Sequence, residues 1–465
     1  MVLWGSLMRN GFLPSLFLCL GLIASPASAL ADRYSPPSYT RTFGGKLNFA
    51  RPIEIPYILD SADADGDGHD DLALGAKIVP PRGGNVLAAP KVYSVLVQNL
   101  PRTGQFRPYN LGNNGLTHRT WAGAFVPGAR GGPAHFVLGR NGEIGLPNEV
   151  VGERSSIFRI EPGSEGWRLS TVHVSDHLNT TGSVSVCDID RDGTREVYVN
   201  NVASALSNGV PPHNRARMYQ IGGGVRSVDP RRYMGGMQTG DVAIHNSVVF
   251  ADIDGDGDCD LLAGYEALVP IRKGGPLVGG MGLPFAASDV AKFQSYVSLN
   301  EGGRFRSGPI LLPNPPFGRN TSSFGIGGTR TRDGATVVAL TSSYLPSHEE
   351  GFSRFALQLF ELRGRQFVDV TASRLSGSVR MREANQSFVR FADIDGDGDE
   401  DFYLTLYDGG ITVFMQSGGR FVAKTVRASG PSGRRAVAFL KAAGKPCMDL
   451  AVLDAGGNLY RFSCS

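Results

Sequence analysis

Apolar and polar residues alternate over short stretches along most of the chain, and glycine-rich turns separate the stretches. At residues 393–401, for example, "SFVRFAD" leads into an acidic loop and "DFYLTLYD" leads out of it. The loop at residues 252–260 lies in the same way between the runs "SVVFA" and "LLAGY". Alternation with a period of two is the pattern of a half-buried strand. The pattern therefore predicts an all-β protein whose units are strand, loop and strand.

Four acidic loops share one spacing. They begin at Asp63, Asp188, Asp252 and Asp393 and read "DADGDGHDD", "DIDRDGTRE", "DIDGDGDCD" and "DIDGDGDED". Carboxylates at loop positions 1, 3, 5 and 9 supply convergent oxygen ligands, and glycine at position 6 makes the sharp turn. Position 7 can add its backbone carbonyl, and it is occupied by His69, Thr194, Asp258 and Asp399. A single copy could be a solvated acidic turn, but four copies favour calcium sites, up to four in number.

An EF-hand begins with the same D-x-D-x-D-G spacing, but it requires glutamate at position 12 and flanking helices. Position 12 is Leu74, Val199, Ala263 and Leu404 in the four loops. Because the flanks also alternate as strands, the sequence excludes the EF-hand and indicates calcium loops between strands.

Composition agrees with a fold dominated by turns, since the 465 residues include 62 glycines and 28 prolines. The net charge is +3, with basic residues scattered singly, so nothing indicates a nucleic-acid partner. Residues 1–31 contain Arg9, the apolar run "GFLPSLFLCLGLIA" and then small residues, which is typical of a secretory signal peptide. No later stretch is long and apolar enough to span a membrane, so we expect residues 32–465 to be secreted or periplasmic. We also expect them to form a monomer.

Four cysteines remain after the leader, namely Cys187, Cys259, Cys447 and Cys464. An even number in an oxidising compartment favours two disulfides over free thiols.

The intervals between the acidic loops predict seven repeats, since the larger intervals are close to twice the smallest. Segments near residues 127, 329 and 441 keep the strand and turn but have lost most of the acids. Each loop is also followed by a hairpin with a glycine-rich turn, such as "YVSLNEGGRF" or "VFMQSGGRF". The last hairpin is incomplete at "GNLYRFSCS", whereas "YTRTFGGKLNF" at residues 39–49 has no partner. A ring closed by this N-terminal strand explains both fragments and protects the sheet edges.

The "ADIDGDGDxDL" loops and the "LN-x-GG-x-F" turns resemble FG-GAP or VCBS repeats, the units of the integrin alpha-subunit propeller and of many secreted bacterial proteins. The resemblance covers essentially the whole mature chain. It implies a seven-bladed β-propeller of four-stranded blades, with calcium in the loop between the first two strands of each intact blade. The ligands it implies are Asp63, Asp65, Asp67 and Asp71; Asp188, Asp190, Asp192 and Glu196; Asp252, Asp254, Asp256 and Asp260; and Asp393, Asp395, Asp397 and Asp401. Two departures, Arg191 at position 4 and Glu196 at position 9, make the second site differ from the others.

Within such a propeller, Cys447 opens the second strand of the last blade and a tight turn brings Cys464 opposite it. We therefore expect a Cys447–Cys464 disulfide. By elimination Cys187 and Cys259, in adjacent blades near their calcium loops, form the second pair.

Polar residues recur seven to nine residues before the loop start in five blades, and the ring should gather them at one mouth of the central channel. They include His118, Asn179, His245, Asn320 and Asn385. One interpretation is a ligand site, supported by long Pro/Gly-rich connections at the same rim. The other is that these side chains satisfy backbone groups at strand ends. Asn179, Asn320 and Asn385 each begin an N-x-[ST] sequon. Because these sequons recur at equivalent positions of the repeat, we interpret them as part of the fold and not as glycosylation sites.

Two classes of function follow. The first is a binding or adhesion module whose rim contacts an extracellular polysaccharide or protein. The second is a carbohydrate lyase or hydrolase with its site at the channel mouth, for which His118, His213, His245 and Glu149 are the candidates at the rim. The sequence contains no nucleophile elbow, zinc motif or phosphate loop. A mostly structural scaffold is the third interpretation.

Overall fold

The computed structural model describes residues 37–47, 49, 53, 55–77, 91–117, 119–128, 132–141, 144–145, 149–150, 153–176, 181–201, 216–234, 245–265, 267, 269–270, 274–275, 277–279, 283–284, 294–306, 308–347, 350–377, 387–408, 410–426 and 433–465. The leader predicted at residues 1–31 lies outside them. Short helical turns occur at Gly112–Gly115, Pro230–Arg232, Gly318–Asn320 and Thr371–Arg374. None of the helices in the described ranges has the length and apolar character that a membrane crossing requires.

Seven antiparallel sheets of four strands form a seven-bladed β-propeller, as predicted. Within each of the first six blades the strands follow one another in chain order. From first to fourth they are Ile55–Ala62, Asp71–Lys77, Val95–Leu100 and Gln105–Asn110 in blade 1; Arg119–Val126, Ala134–Asn141, Ser156–Gly163 and Gly166–Val174 in blade 2; Thr181–Cys187, Arg195–Asn201, Arg217–Ile221 and Val225–Val228 in blade 3; His245–Ala251, Asp260–Tyr265, Tyr296–Ser298 and Ile310–Leu311 in blade 4; Thr321–Arg330, Thr336–Tyr344, Ser353–Arg363 and Gln366–Asp369 in blade 5; and Val389–Ala392, Asp401–Leu404, Ile411–Ser417 and Arg420–Val426 in blade 6.

Blade 7 is assembled from both ends of the chain. Its first three strands are Arg435–Leu440, Asp449–Asp454 and Asn458–Cys464, and its fourth is the N-terminal strand Tyr39–Lys46. Tyr39 pairs with Cys464 and Lys46 with Asn458, in antiparallel register. The predicted closure of the ring by the N-terminal strand is therefore confirmed.

Smaller strands join or extend the blades. Leu406–Tyr407 of blade 6 pairs with the first strand of blade 7, and Leu375–Ser376 pairs in parallel with the fourth strand of blade 6. The others are Val92–Tyr93 with Leu116–Thr117, Ile144–Gly145 with Glu149–Val150, and the set Val269–Pro270, Leu277–Gly279 and Leu283–Pro284.

The apolar core lies between adjacent blades, because each strand presents alternate residues to the neighbouring sheet. One cluster, for example, joins Ile253 and Leu262 of blade 4 to Ile326 and Phe360 of blade 5. Position 2 of each acidic loop contributes to this core, since Ile189, Ile253 and Ile394 are fully buried and Ala64 is 8% exposed. The buried residue at position 2 fixes the start of the acidic loop against the neighbouring blade.

The acidic loops connect the first and second strands of blades 1, 3, 4 and 6. Blades 2, 5 and 7 have shorter or non-acidic connections there, at residues 127–133, 331–335 and 441–448, as the repeat spacing predicts. Side chains from adjacent loops contact one another, as Arg191 and Asp256 do at 3.4 Å. The acidic loops therefore share one face of the ring, which we call the loop face.

Candidate metal centres and the rim residues

Three carboxylates converge in each acidic loop, from positions 1, 3 and 9. Each offers one oxygen, and within a group these oxygens lie within 4.8 Å of one another. The four groups are Asp63, Asp65 and Asp71; Asp188, Asp190 and Glu196; Asp252, Asp254 and Asp260; and Asp393, Asp395 and Asp401. Each group could hold a metal ion.

The carboxylate at position 9 is buried and fixed by the backbone. In blade 4 one oxygen of Asp260 accepts a hydrogen bond from the Ile253 N–H at 3.1 Å, and the other accepts one from the Asn300 N–H at 2.8 Å. Asp71 and Asp401 are held in the same way, by the N–H groups of position 2 and of the third strand. This carboxylate therefore joins the loop to the second and third strands of its own blade.

Glutamate at position 9 in blade 3 preserves half of this arrangement. One oxygen of Glu196 accepts from the Ile189 N–H at 2.9 Å. The other accepts from the Gln220 side-chain amide at 2.8 Å and from the Tyr233 hydroxyl at 3.2 Å. Since glutamate is one methylene longer than aspartate, side chains here replace the backbone donor of the third strand.

Position 1 shapes the turn itself. Asp252 accepts hydrogen bonds from the N–H groups of Gly255 at 2.7 Å and Gly257 at 3.0 Å. Gly257, at position 6, has a φ of 87°, a conformation that residues with a Cβ rarely adopt. The sharp turn predicted from this glycine is present and lets the loop fold over its first carboxylate.

Several carboxylate oxygens in these groups are buried without a protein partner. They are one oxygen each of Asp65, Asp188, Asp190 and Asp393, for which the described part of the chain supplies no hydrogen bond. The other oxygen of Asp65 accepts from the Gln98 amide at 2.8 Å and from the Trp167 indole N–H at 3.1 Å, so its orientation is fixed. A buried unpaired charge is costly, and an oxygen-ligated cation would remove that cost. The residues therefore fit a hard cation such as calcium.

Burial also perturbs the titration of the position 9 carboxyls. It raises the pKa of Asp71 to about 9, that of Asp401 to about 8 and that of Asp260 to about 7, although backbone N–H groups oppose the shift. Neighbouring carboxylates of the same loop raise these pKa values further. A bound cation would counter both effects by favouring the ionised form.

Positions 5 and 7 lie outside the three-carboxylate groups. The position 5 carboxylates accept a hydrogen bond from the N–H of position 7, at 2.7 to 2.9 Å; they are Asp67, Asp192, Asp256 and Asp397. At position 7, Asp258 lies 3.5 Å from Arg191 and Asp399 lies 3.9 Å from Arg332. Ligation by positions 5 and 7 stays a prediction.

Blade 7 holds a related carboxylate with a different partner. Asp449 begins the second strand and is fully buried, as Asp260 is in blade 4. The Lys445 ammonium lies 2.6 Å from one oxygen of Asp449, and the Arg461 guanidinium lies 2.6 Å from the other. The Cys464 N–H donates to the same carboxylate at 3.0 Å. We did not predict Lys445 or Arg461, since neither belongs to a repeated motif.

Most residues of the predicted rim site lie outside the part of the chain that the structure describes. His118, Asn179 and Asn385, and also His213, lie outside the described residues. His245 begins the first strand of blade 4, opposite Tyr265, but its side chain is not described. The side-chain amide of Asn320 donates to the Leu345 carbonyl at 3.0 Å, which agrees with the interpretation that these residues satisfy strand-end backbone groups.

One cluster of polar side chains at the rim was not predicted from the sequence. Glu153 is 5% exposed, accepts a hydrogen bond from the Thr117 hydroxyl at 2.5 Å and lies 3.0 Å from the Lys91 ammonium. Thr117 lies two residues before the first strand of blade 2, which places the cluster at the rim where the first strands begin, opposite the loop face. We call this rim the strand-start rim. No periodic signal marks these three residues. Glu149, the acid proposed from sequence, lies in a two-residue strand nearby, and its side chain is not described.

Both predicted disulfides are present. Cys447 and Cys464 have Cα atoms 6.0 Å apart, and Cys187 and Cys259 have Cα atoms 6.5 Å apart. The first bond ties the C-terminal strand into blade 7. The second joins blades 3 and 4 beside their acidic loops, and both distances lie within the range that a disulfide spans.

No protein-family model matches the chain, and no curated protein matches it. The chain is similar to solved structures that include the Penicillium chrysogenum alpha-L-arabinanase complexed with arabinobiose. That match has 8% identity and a TM-score of 0.42, and it covers 93% of this chain and 99% of the other. A chain from a S. cerevisiae assembly of Dbp5, Nup159, Gle1, IP6 and ADP matches with 8% identity and a TM-score of 0.44, over 92% of this chain and 95% of the other. At these values neither likeness informs the function.

Proposed function

We propose that the chain is a secreted, calcium-binding propeller of the FG-GAP/VCBS type that binds an extracellular polysaccharide or protein. Four three-carboxylate groups with fixed, partly unpaired buried oxygens carry the calcium assignment. Two disulfides are consistent with an extracellular or periplasmic location, and the leader pattern at residues 1–31 supports secretion. Long connections at the rim opposite the loop face support a binding role.

Calcium in these sites would be structural. When bound it supplies positive charge to carboxylates that the fold already holds together. Positions 1, 3 and 9 would ligate it, with positions 5 and 7 as further donors. Because blades 2, 5 and 7 lack the three-carboxylate group among their described residues, the ion would stabilise the ring without being required for its formation.

Removal of calcium tests this part of the proposal. With a dissociation constant on the order of 0.1 mM and about 1 mM calcium, each site would add roughly 1.4 kcal/mol to the free energy of unfolding. A chelator should lower the melting temperature and leave the β-type circular dichroism unchanged at moderate temperature. An unchanged melting curve would remove the calcium assignment.

The binding role depends on the strand-start rim. His118, Asn179, His245, Asn320 and Asn385 are the residues proposed to contact the ligand there. Glycan and extracellular-protein arrays would identify that ligand, and replacing both His118 and His245 by alanine should then weaken binding. The melting temperature should change by no more than a few degrees, as for exposed positions. Binding that survives the double substitution would place the ligand elsewhere.

A carbohydrate lyase or hydrolase is the second candidate, and the Glu153 cluster is the observation that favours it. A carboxylate that lies beside an ammonium group and a hydroxyl could serve as a general base. The test is release of new sugar ends from a panel of polysaccharides, with Glu153→Gln as the inactive variant. A protein that binds a polysaccharide but releases no product would be a binding module.

A further inference from the structure

A cavity occupies the centre of the ring. Its volume is about 360 Å³, and residues of the first strands of blades 1, 2, 3 and 4 line it together with residues 388–390 of blade 6. A volume of about 300 Å³ or more is enough for a small ligand. The cavity contains charged groups as well as aromatic ones, which is unlike the apolar space between blades.

Three charged side chains line this cavity, namely Arg195 of blade 3 and two opposite charges that lie close together from different blades. Asp60 of blade 1 and Arg390 of blade 6 both line it, and the nearest atoms of the two side chains are 4.0 Å apart. At that distance they attract one another without forming a hydrogen bond. The Asp60 side chain is 21% exposed and that of Arg390 is 37% exposed, so both are accessible to a bound molecule.

Each charge also keeps hydrogen-bonding capacity. Arg390 donates from Nη2 to the Leu59 carbonyl at 3.1 Å, and the described residues supply it with no other hydrogen bond. A guanidinium group has five N–H donors, so most of them remain unused. Oδ2 of Asp60 accepts from the Phe125 N–H at 2.8 Å, which leaves Oδ1 toward Arg390. The pair thus presents unused guanidinium donors beside a carboxylate that also accepts from the backbone N–H groups of Phe125 and Ser61.

Aromatic rings complete the lining. Phe250 and Phe388 both contribute to the cavity and are partly exposed. Phe250 is held in place by stacking on Phe305, with ring centroids 5.5 Å apart. Apolar rings with a few fixed polar groups are the usual composition of a small-molecule site.

We infer that the central cavity binds a single uncharged sugar unit, with one hydroxyl donating to Asp60 and a neighbouring hydroxyl accepting from Arg390. Asp60 and Arg390 carry no net charge between them, so a charged ligand gains from one side chain what it loses to the other. A polyhydroxyl compound uses both charges at once, and its C–H faces can pack against the phenylalanine rings. This inference rests on the polysaccharide version of the proposed function and identifies the chemistry of one subsite.

The experiment titrates the calcium-loaded protein with D-glucose, D-galactose, D-mannose and L-rhamnose, and with D-galacturonate and D-glucosamine as charged counterparts. Saturation-transfer NMR and calorimetry should detect at least one neutral sugar, bound one to one and more tightly than its charged counterparts. Asp60→Asn and Arg390→Gln should each weaken binding about tenfold or more. Asn retains an acceptor for the Phe125 N–H, and Arg390→Lys keeps the charge if Arg390→Gln does not fold. Arg102→Gln, at an exposed turn, is the control and should bind as the parent does.

Two results would overturn the inference. One is sugar binding that is unchanged in both Asp60→Asn and Arg390→Gln. The other is an absence of binding by every sugar in the panel while a polysaccharide still binds through His118 and His245, in which case the proposed function stands and the central subsite fails. If the arrays detect no polysaccharide but a sugar binds at Asp60, the inference holds and the rim site fails.

Discussion

The acidic loop of blade 4 and the corresponding turn of blade 7 each contain a buried aspartate, and they accommodate its charge in two different ways. Asp260 and Asp449 each begin the second strand of their blade, and both are fully buried. Around Asp260 the partners are backbone N–H groups and further carboxylates. Around Asp449 the partners include the Lys445 ammonium and the Arg461 guanidinium. Blade 7 thus carries its own cations where blade 4 leaves room for a metal ion.

The difference bears on how the ring closes. Blade 7 joins the two ends of the chain, and the Cys447–Cys464 disulfide fastens its C-terminal strand. Arg461 also donates from Nη1 to the Asn99 side chain of blade 1 at 2.8 Å. Because these contacts need no metal, closure should persist when the calcium concentration falls, and the effect of calcium should be confined to the blades that have acidic loops.

The largest expected effect comes from removing the Asp449 charge. Asp449→Asn keeps the shape of the side chain but leaves two cations, one of them almost fully buried, without their counterion. Removing one partner of a buried ion pair costs about 3–5 kcal/mol. We expect the free energy of unfolding, measured by denaturant titration, to fall by that amount equally in calcium and in chelator.

Asp260→Asn is the matched comparison in blade 4. It should destabilise the calcium-loaded protein, because it removes a ligand. In chelator the loss should be smaller, since the substitution also removes a carboxylate that burial disfavours, although asparagine has only one oxygen for the N–H groups of Ile253 and Asn300. If Asp449→Asn showed the calcium dependence and Asp260→Asn did not, the two roles assigned here would be reversed.

The second effect is a pH dependence that appears only without metal. Burial raises the pKa of Asp71 to about 9, of Asp401 to about 8 and of Asp260 to about 7, above the values of an unfolded chain. The folded state therefore binds more protons than the unfolded state between about pH 4 and pH 9, and stability falls as pH rises through that range. Metal-free protein should therefore be clearly more stable at about pH 5 than at about pH 8.

Thermal melts over this range, with and without calcium, check the pH prediction. Bound calcium favours the ionised carboxylates, so the calcium-loaded protein should lose stability on acidification instead. Parallel pH profiles in the two conditions would show that these carboxyls do not contact a metal ion.

The third effect concerns Lys445 alone. Lys445→Met removes one cation from Asp449 but leaves Arg461 in place, and the lysine side chain is 31% exposed, so solvent already screens part of the interaction. We expect a loss of about 1 kcal/mol in the free energy of unfolding. Lys441→Met, at an exposed position of the same turn, controls for the loss of surface charge and should change stability little. Equal effects of the two substitutions would show that the Lys445 ammonium does not stabilise Asp449.

With the propeller that the FG-GAP/VCBS resemblance implied, the cysteines could be paired into the two disulfides. The repeat spacing and the strand alternation were enough to predict seven repeats, the closure of the ring and the position of the acidic loops. Each of these is encoded locally or by repetition. The partners of Asp449 could not be predicted, because Lys445 and Arg461 occur once each and reach Asp449 only after the turn and the hairpin have formed. The Asp60–Arg390 pair was missed for the same reason, since 330 residues separate the two positions and only ring closure brings them together.

The smallest effect concerns Arg191, which stands at loop position 4 in blade 3 where the other three acidic loops have glycine. Its φ is 57°, in the left-handed region, and its guanidinium donates to the Asp256 carbonyl of blade 4 at 2.9 Å. Arg191→Gly relieves the backbone strain but loses an exposed contact and makes the unfolded chain more flexible. The free energy of unfolding should therefore stay within about 1 kcal/mol of the parent.

The same substitution should strengthen calcium binding in blade 4 by about two- to threefold, as expected when one exposed positive charge is removed from beside the site. Calcium titration calorimetry at low salt would measure the change, and added salt should reduce it. Arg191→Lys retains the charge and is the control, so its affinity should match that of the parent. An increase of the same size in Arg191→Lys would mean that loss of the guanidinium contact with the Asp256 carbonyl, and not loss of the positive charge, changes calcium binding in blade 4.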